Sequence, residues 1–206
     1  MSKIKDKNNI YVNGIVETQP MYWYTWNGIK DYIFTISVKR YSGTIDYIRI
    51  CVAESVIKEK QIKIGEAYSI IGQVRTRNIR VVSENKKSIL EVFVYPRQIN
   101  KIDEFDDSMY INECEIEGTI VKKNFFKDRL FSKKLLYNFI LASNRKCGEP
   151  SYLPCIAWNE NAIELTKCEV GTTKLKFKGR FQSRSIMKKN STVYEISITK
   201  LEILSK

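Results

Sequence analysis

Phe139-Ile140-Leu141-Ala142-Ser143-Asn144-Arg145, then Tyr152-Leu153-Pro154-Cys155-Ile156-Ala157-Trp158, then Lys176-Phe177-Lys178-Gly179-Arg180-Phe181-Gln182-Ser183-Arg184 form the stretch that decides the fold. Each run is short, apolar and aromatic, and bounded by turn residues, so each reads as a strand. The same succession occurs earlier in the chain. Tyr32 to Arg40 matches Tyr137 to Arg145, Asp46 to Cys51 matches Ser151 to Ile156, and Gly72 to Arg77 matches Gly179 to Arg184. Outside these, Asn9 to Val16 lies over Glu113 to Ile120, and Leu90 to Val94 over Tyr194 to Ile198. Five blocks in one order, at an offset drifting only between 104 and 107 residues, mark a tandem duplication.

One unit reads as strand, strand, strand, short helix, strand, strand. Alternation is clearest at Thr173-Lys174-Leu175-Lys176-Phe177-Lys178, which turns Leu175 and Phe177 inward and three lysines outward. The helical slot is Asn159 to Cys168, where Asn159 is placed to cap and Ala162, Ile163 and Leu165 supply an apolar side; Glu54 to Gln61 is its counterpart. Gly14, Gly72, Gly118 and Gly179 fall inside strand patterns, as expected at bulges or tight bends. Five short strands with a helix after the third is the order of an oligonucleotide/oligosaccharide-binding (OB) barrel, although periodicity alone does not separate it from another small barrel. The expected fold is all-β: two tandem five-stranded Greek-key OB barrels. The expected domains are 1–98 and 112–206, joined by an acidic linker at 99–111. That linker carries one lysine and four acids, against 16 basic and 9 acidic groups before it and 18 and 10 after it.

Chemistry is narrowed by what the 206 residues lack. There is no histidine, which removes Ser-His and Cys-His dyads and His-ligated zinc. Five cysteines without a C-x-x-C pair read as small buried hydrophobes. No enzyme and no cofactor or metal are expected. No apolar run approaches the ~18 residues of a membrane span, and Met1 to Asn9 has no signal-peptide core, so no membrane and a cytoplasmic location are expected. A net charge of +12 points to polyanionic partners, nucleic acid first.

The quoted second-half blocks, with Gly171 between them, resemble the bacterial single-stranded-DNA-binding protein family over roughly 75 residues; the first unit, from Ile10 to Val94, follows the same plan more loosely. The resemblance implies OB folds that bind single strands by stacking and charge, with little sequence preference. It places Trp158 and Tyr152 as base-stacking aromatics of the third strand, and Arg180 and Arg184 as basic positions of the fourth strand and following loop. Strand phase agrees, since Tyr152, Pro154, Ile156 and Trp158 share the outer parity. In the first unit Tyr47 is kept, but Ala53 replaces the aromatic. Ile186 and Cys147 fall where the family often has tryptophan. The chain also lacks the family's acidic tail, which suggests an accessory member in replication or recombination.

Further candidates are Arg40 and Arg145 at the ends of the second strands, and Arg75 and Arg77 on the first unit's fourth strand, for phosphate contact or base-plane stacking. Lys176 stands between Lys174 and Lys178 on a strand that either binds or guards against aggregation. Trp23 and Trp26, in the cluster Tyr22-Trp23-Tyr24-Trp26, are expected in the loop between the first two strands, to clamp bases or to join subunits. Lys122, Lys123, Lys127, Lys188 and Lys189 are expected in loops. The expected partner is single-stranded DNA, with a homodimer giving four OB folds. RNA binding, and a structural OB pair joining protein subunits, stand as alternatives.

Overall fold

The computed structural model describes residues 6–80, 88–129, 134–186 and 191–205. In the first half, β1 (Asn8–Val16), β3 (Ile29–Lys39), β4 (Ile45–Ala53), β6 (Ser88–Ile102) and β5 (Ala67–Arg80) pair in that order and close on themselves. The β4–β6 pair is parallel and the rest antiparallel. The second half repeats the ring with β7 (Ile111–Arg129), β8 (Lys134–Asn144), β9 (Pro150–Trp158), β11 (Ser191–Ser205) and β10 (Lys174–Ile186), again with one parallel pair, β9–β11. This ring order is that of two OB barrels. Helix α1 (Glu54–Lys60) follows β4 and α2 (Asn159–Thr166) follows β9.

The inward parity expected of Leu175 and Phe177 is met, and both join Ile10, Phe34, Ile50, Val74, Phe139, Leu153 and Phe181 in the buried core. α2 buries Ala162 and Leu165, whereas Ile163 stays exposed. Asn159 makes no side-chain cap; it sits at φ 51, so its strained backbone rather than its amide turns the chain from β9 into α2. The four strand glycines meet a steric demand in duplicate. A Cβ on Gly14 or Gly118 would lie 2.4 Å from the Ser37 or Ala142 carbonyl oxygen, and one on Gly72 or Gly179 would lie 2.5 or 2.4 Å from that of Tyr95 or Ser197. Register shifts fall beside two of these glycines, at Ile71/Gly72 and Lys178/Gly179, where β5 and β10 bend.

The barrels join through their first strands, β1 against β7, so the described strands form one continuous sheet. Ile10 lies opposite Cys114. Those two residues are also equivalent in the repeat, so the duplication is expressed as a pseudo-twofold axis through this pair. Its accuracy shows at the flanking asparagines. Asn8 Nδ2 donates to the Val74 carbonyl and Asn8 Oδ1 accepts from Val74 N–H, both at 2.9 Å. Asn112 does the same to Phe181 at 2.7 and 3.0 Å. Each amide continues a ladder whose backbone pairs end at Ile10↔Gly72 and Cys114↔Gly179.

Three local expectations change. Met21–Trp26 is a strand, β2, hairpinned onto β3 rather than a loop. Its turn residues Asn27 and Gly28 both have positive φ (46 and 77), the conformation a two-residue hairpin requires. β6 runs to Ile102, so pairing covers the start of the acidic segment; beyond it Asp106 caps a 3-10 turn at Asp107–Met109, and Asp107 pairs with Lys39 at 2.5 Å. The loop expected at Lys122 to Lys127 is the outer part of β7, and Lys188 and Lys189 lie outside the described residues. Four cysteines are buried as expected, and Cys147 is exposed.

Candidate nucleic-acid interface

The third strand of each barrel meets the fourth strand of the other, and the contact is duplicated. Tyr47 N–H donates to Ser183 Oγ at 2.8 Å, and Tyr152 N–H donates to Thr76 Oγ1 at 2.9 Å. This crossing makes two grooves, each built from both halves of the chain.

Groove 1, about 780 Å3, runs over β5 and β6 of the first barrel. Its floor is Gln73, Arg75, Thr76 and Arg77 from β5 with Phe93, Tyr95 and Arg97 from β6. Tyr24 and Trp26 of β2 form one wall, and Arg145, Lys146, Cys147 and Glu149 of the second barrel form the other. Groove 2, about 460 Å3, repeats the plan: Arg180, Gln182, Ser183 and Arg184 from β10, Trp158 from the end of β9, and Arg40, Thr44, Ile45 and Tyr47 from the first barrel.

Each fourth strand places one arginine and one glutamine on alternate positions, in exchanged order: Gln73 and Arg75 in one barrel, Arg180 and Gln182 in the other. Burial makes both arginines easier to deprotonate than usual, Arg75 chiefly by desolvation and Arg180 by desolvation and the nearby Arg40. The Nε of each is buried without a partner among the described residues. A guanidinium with an unmatched donor in a dry site gains more from an arriving anion than a solvated one does. Arg75 lies over the Tyr95 ring at 3.9 Å and Arg77 over the Tyr24 ring at 3.5 Å. Trp23 joins this layer edge-on, 4.8 Å from Tyr24 and 5.0 Å from Phe93. The result is an arginine-aromatic surface whose outer member, Trp26, is 58% exposed. Burial, with Cys51 and Asp31 nearby and a hydrogen bond to Asp31, drives the Tyr24 phenol well above its ordinary pKa.

The expected site residues sort clearly. Arg75, Arg77, Arg145 and Trp26 line groove 1, with Trp23 stacked behind. Trp158, Arg180, Arg184, Tyr47 and Arg40 line groove 2. Trp158 therefore faces Tyr47 of the first barrel, while Tyr152 stands six residues away, roughly 20 Å along β9, at the seam. Arg40 is committed to structure as well: it donates to Asp46 at 2.6 and 2.5 Å, and Asp46 accepts from Ser183 N–H at 2.9 Å. Among the described residues Arg145 bonds to Glu149, donating to its carbonyl oxygen at 2.8 Å and to its exposed carboxylate at 3.0 Å. The structure brings Lys176 to neither groove; it lies 3.4 Å from Glu115 and 3.9 Å from Glu202. The sequence reading missed Phe93, Tyr95, Arg97 and Lys146, and it set Tyr24 in a loop where the structure has a strand. The dipeptide Asn27-Gly28 is the signal that would have found β2 and its tyrosine.

A third hollow, about 1180 Å3, crosses the β1–β7 face and shares Arg97 with groove 1 and Arg40 and Arg180 with groove 2. Lys39 and Lys178 add charge to it, Tyr11 and Tyr41 add rings, and Glu113 and Glu115 oppose. Among the described residues no acid-cysteine cluster fits a metal ion, and no helix is long and apolar enough to cross a membrane.

No protein-family model and no curated protein sequence matches the chain. Among solved structures, the wild-type single-stranded DNA binding protein from Thermus aquaticus superposes with a TM-score of 0.75 at 16% identity, over 98% of this chain and 95% of that one. A deletion variant of the same protein gives 0.74 at 16% identity, over 98% and 96%. The likeness is one of fold, and it extends over both barrels.

Proposed function

We propose that the protein binds single-stranded DNA with little sequence preference, without catalysis, as a member of the single-stranded-DNA-binding protein family serving replication or recombination. The observation that carries this reading is the pair of composite grooves, each setting unmatched arginine donors beside exposed aromatic rings. Arg75, Arg77 and Arg145 in one groove, and Arg180 and Arg184 in the other, take phosphates and release counterions. Trp26 and Trp158 stack bases. The hollow across β1–β7, which shares Arg97 with groove 1 and Arg40 and Arg180 with groove 2, supports a path from one groove to the other. The family likeness of the second-half blocks and the two-barrel fold of the Thermus protein agree with this reading.

All three tryptophans, Trp23, Trp26 and Trp158, stand in or behind a groove, so intrinsic fluorescence reports on both. Titration with a thymidine strand of roughly 30 to 40 nucleotides, long enough for two to four OB sites, is expected to quench it deeply. The quenching should weaken with salt and be small with duplex. Preference for the matching RNA would redirect the reading to ribose, and silence with every nucleic acid would end it.

One observation favours an additional assembly role. β2 is the terminal strand of the sheet and exposes Met21 and Tyr22. A homodimer with four barrels uses such an edge. Light scattering at micromolar protein then gives twice the chain mass, and a single-chain mass excludes the dimer.

A further inference from the structure

The two barrels differ at a pair of facing positions beside the grooves. In the second barrel Leu136 lies opposite Trp158, a buried aliphatic beside a broad ring. At the equivalent place in the first barrel Asp31 lies opposite Ala53. The exchange removes a stacking platform, opens space, and puts a carboxyl group where there was a methyl-bearing side chain. Groove 1 is the larger of the two, and Asp31 is among its lining residues.

Asp31 is 5% exposed, and its Oδ1 is buried with no hydrogen-bond partner among the described residues. Tyr24 stands directly opposite Asp31 across the β2–β3 pair. Arg75 and Arg77 lie over the rings of Tyr95 and Tyr24. A buried acceptor without a donor is costly and is a place where a ligand's donor contributes in full.

We propose that groove 1 reads the edge of one base, and that Asp31 is the acceptor selecting a base with an exocyclic amino group. This rests on the strand-binding reading above and deepens it. Cytosine, adenine and guanine each carry an amino group that donates to a carboxylate oxygen. Thymine and uracil place the C4 carbonyl at the position of cytosine's amino group, so an acceptor would face an acceptor, and such a mismatch rejects a ligand as effectively as a good contact selects one. Tyr24 and Trp26 hold the ring plane, and Asp31 tests its edge. Groove 2, with Trp158 in its wall and Leu136 at the position of Asp31, makes no such distinction.

The test is competition binding of dC, dU and dT strands of roughly 12 nucleotides, within the span one OB barrel holds. The full chain is used as wild type and as Asp31→Asn, at mildly alkaline pH where cytosine is unprotonated. Deoxyuridine separates the effect of the carbonyl from that of the thymine methyl. Wild type is expected to bind dC roughly tenfold more tightly than dU or dT, the worth of a hydrogen bond to a charged group. Asp31→Asn, which offers an amide donor to the carbonyl, is expected to level or reverse that order. Equal binding of all three strands by wild type overturns the inference and leaves strand binding standing. A preference for dC that survives in a folded Asp31→Asn, checked by circular dichroism, overturns the assignment to Asp31. If the variant does not fold, the wild-type series alone decides whether groove 1 selects. Failure to bind any of the three removes the strand-binding reading and this inference with it.

Discussion

Asp46→Asn tests whether one buried carboxylate locks the two barrels together. Asp46 is fully buried; it takes two hydrogen bonds from Arg40 and a third from the Ser183 N–H of the other barrel. Those contacts hold the Arg40 guanidinium above its ordinary pKa. The duplicated position is Ser151, whose buried hydroxyl has no partner among the described residues, so the ionic anchor is present on one side of the pseudo-axis. Asparagine keeps the shape, removes the charge, and points an N–H at a group that is itself a donor. Breaking a buried ion pair costs ~3–5 kcal/mol. The Arg40 side chain retains 23% exposure and can turn toward water, which puts the loss nearer ~2–3 kcal/mol. For a chain of this size that lowers Tm by roughly 5–10 °C. Urea and thermal unfolding followed by circular dichroism measure it. Glu149→Gln, which breaks the exposed pair with Arg145, serves as the control and should cost less than ~0.5 kcal/mol. Equal stability of wild type and Asp46→Asn, or equal losses in the two variants, refutes the reasoning.

Trp158→Ala should weaken single-strand binding about tenfold, since a stacked base is worth ~1–3 kcal/mol; an unchanged Kd by fluorescence anisotropy removes Trp158 from the site. Gly118→Ala sets a Cβ against the Ala142 carbonyl oxygen at 2.4 Å and the Leu141 side chain at 2.9 Å. Strand β7 must then move off β8, and a loss of ~1–3 kcal/mol in urea unfolding is expected. Hydrogen bonds from Lys101, Tyr68 and the Lys63 N–H hold the Glu66 carboxyl down at about 2, from an ordinary 4.5. A depressed folded-state pKa stabilises above the unfolded value, so this contribution is complete above about 4.5 and is lost as pH falls toward 2. Glu66→Gln should therefore flatten the acid limb of the stability-pH curve in that window, and an unchanged limb counts against the assignment.

Much of the fold was legible because the chain states it twice. A lone alternating run is weak, but Gly72 and Gly179 bend equivalent strands, and Asn8 and Asn112 extend equivalent ladders, so each half checks the other. The site was legible by residue type and only partly by place. Trp158, Arg180 and Arg184 are neighbours on their own barrel, as strand phase requires. Tyr47 and Arg145 belong to grooves of the opposite barrel, and no period within one unit encodes how two units cross. Lys176 has the composition of a binding residue, yet β10 carries it to the face where Glu115 and Glu202 wait. Arg40 and Arg145 are one residue in the alignment; the difference between Asp46 and Ser151, six positions on, gives the first a structural bond and leaves the second at the groove wall.

A duplicated chain also escapes a restriction that binds a homodimer. Two identical barrels around a true twofold axis present the same groove twice, related by a rotation that reverses the direction of any strand crossing both. Such a surface treats 5′-to-3′ and 3′-to-5′ alike. Here the axis through Ile10 and Cys114 is only approximate in chemistry. Groove 1 has the β2 wall and Asp31, whereas groove 2 has Trp158 and Arg40, the latter anchored by Asp46. On the strand-binding proposal, a strand passing from one groove to the other meets the groove with Asp31 and the groove with Trp158 in a fixed order. Its two polarities are then inequivalent complexes with different free energies. Covalent linkage of the barrels permits that divergence, because a substitution in one half is not copied into the other.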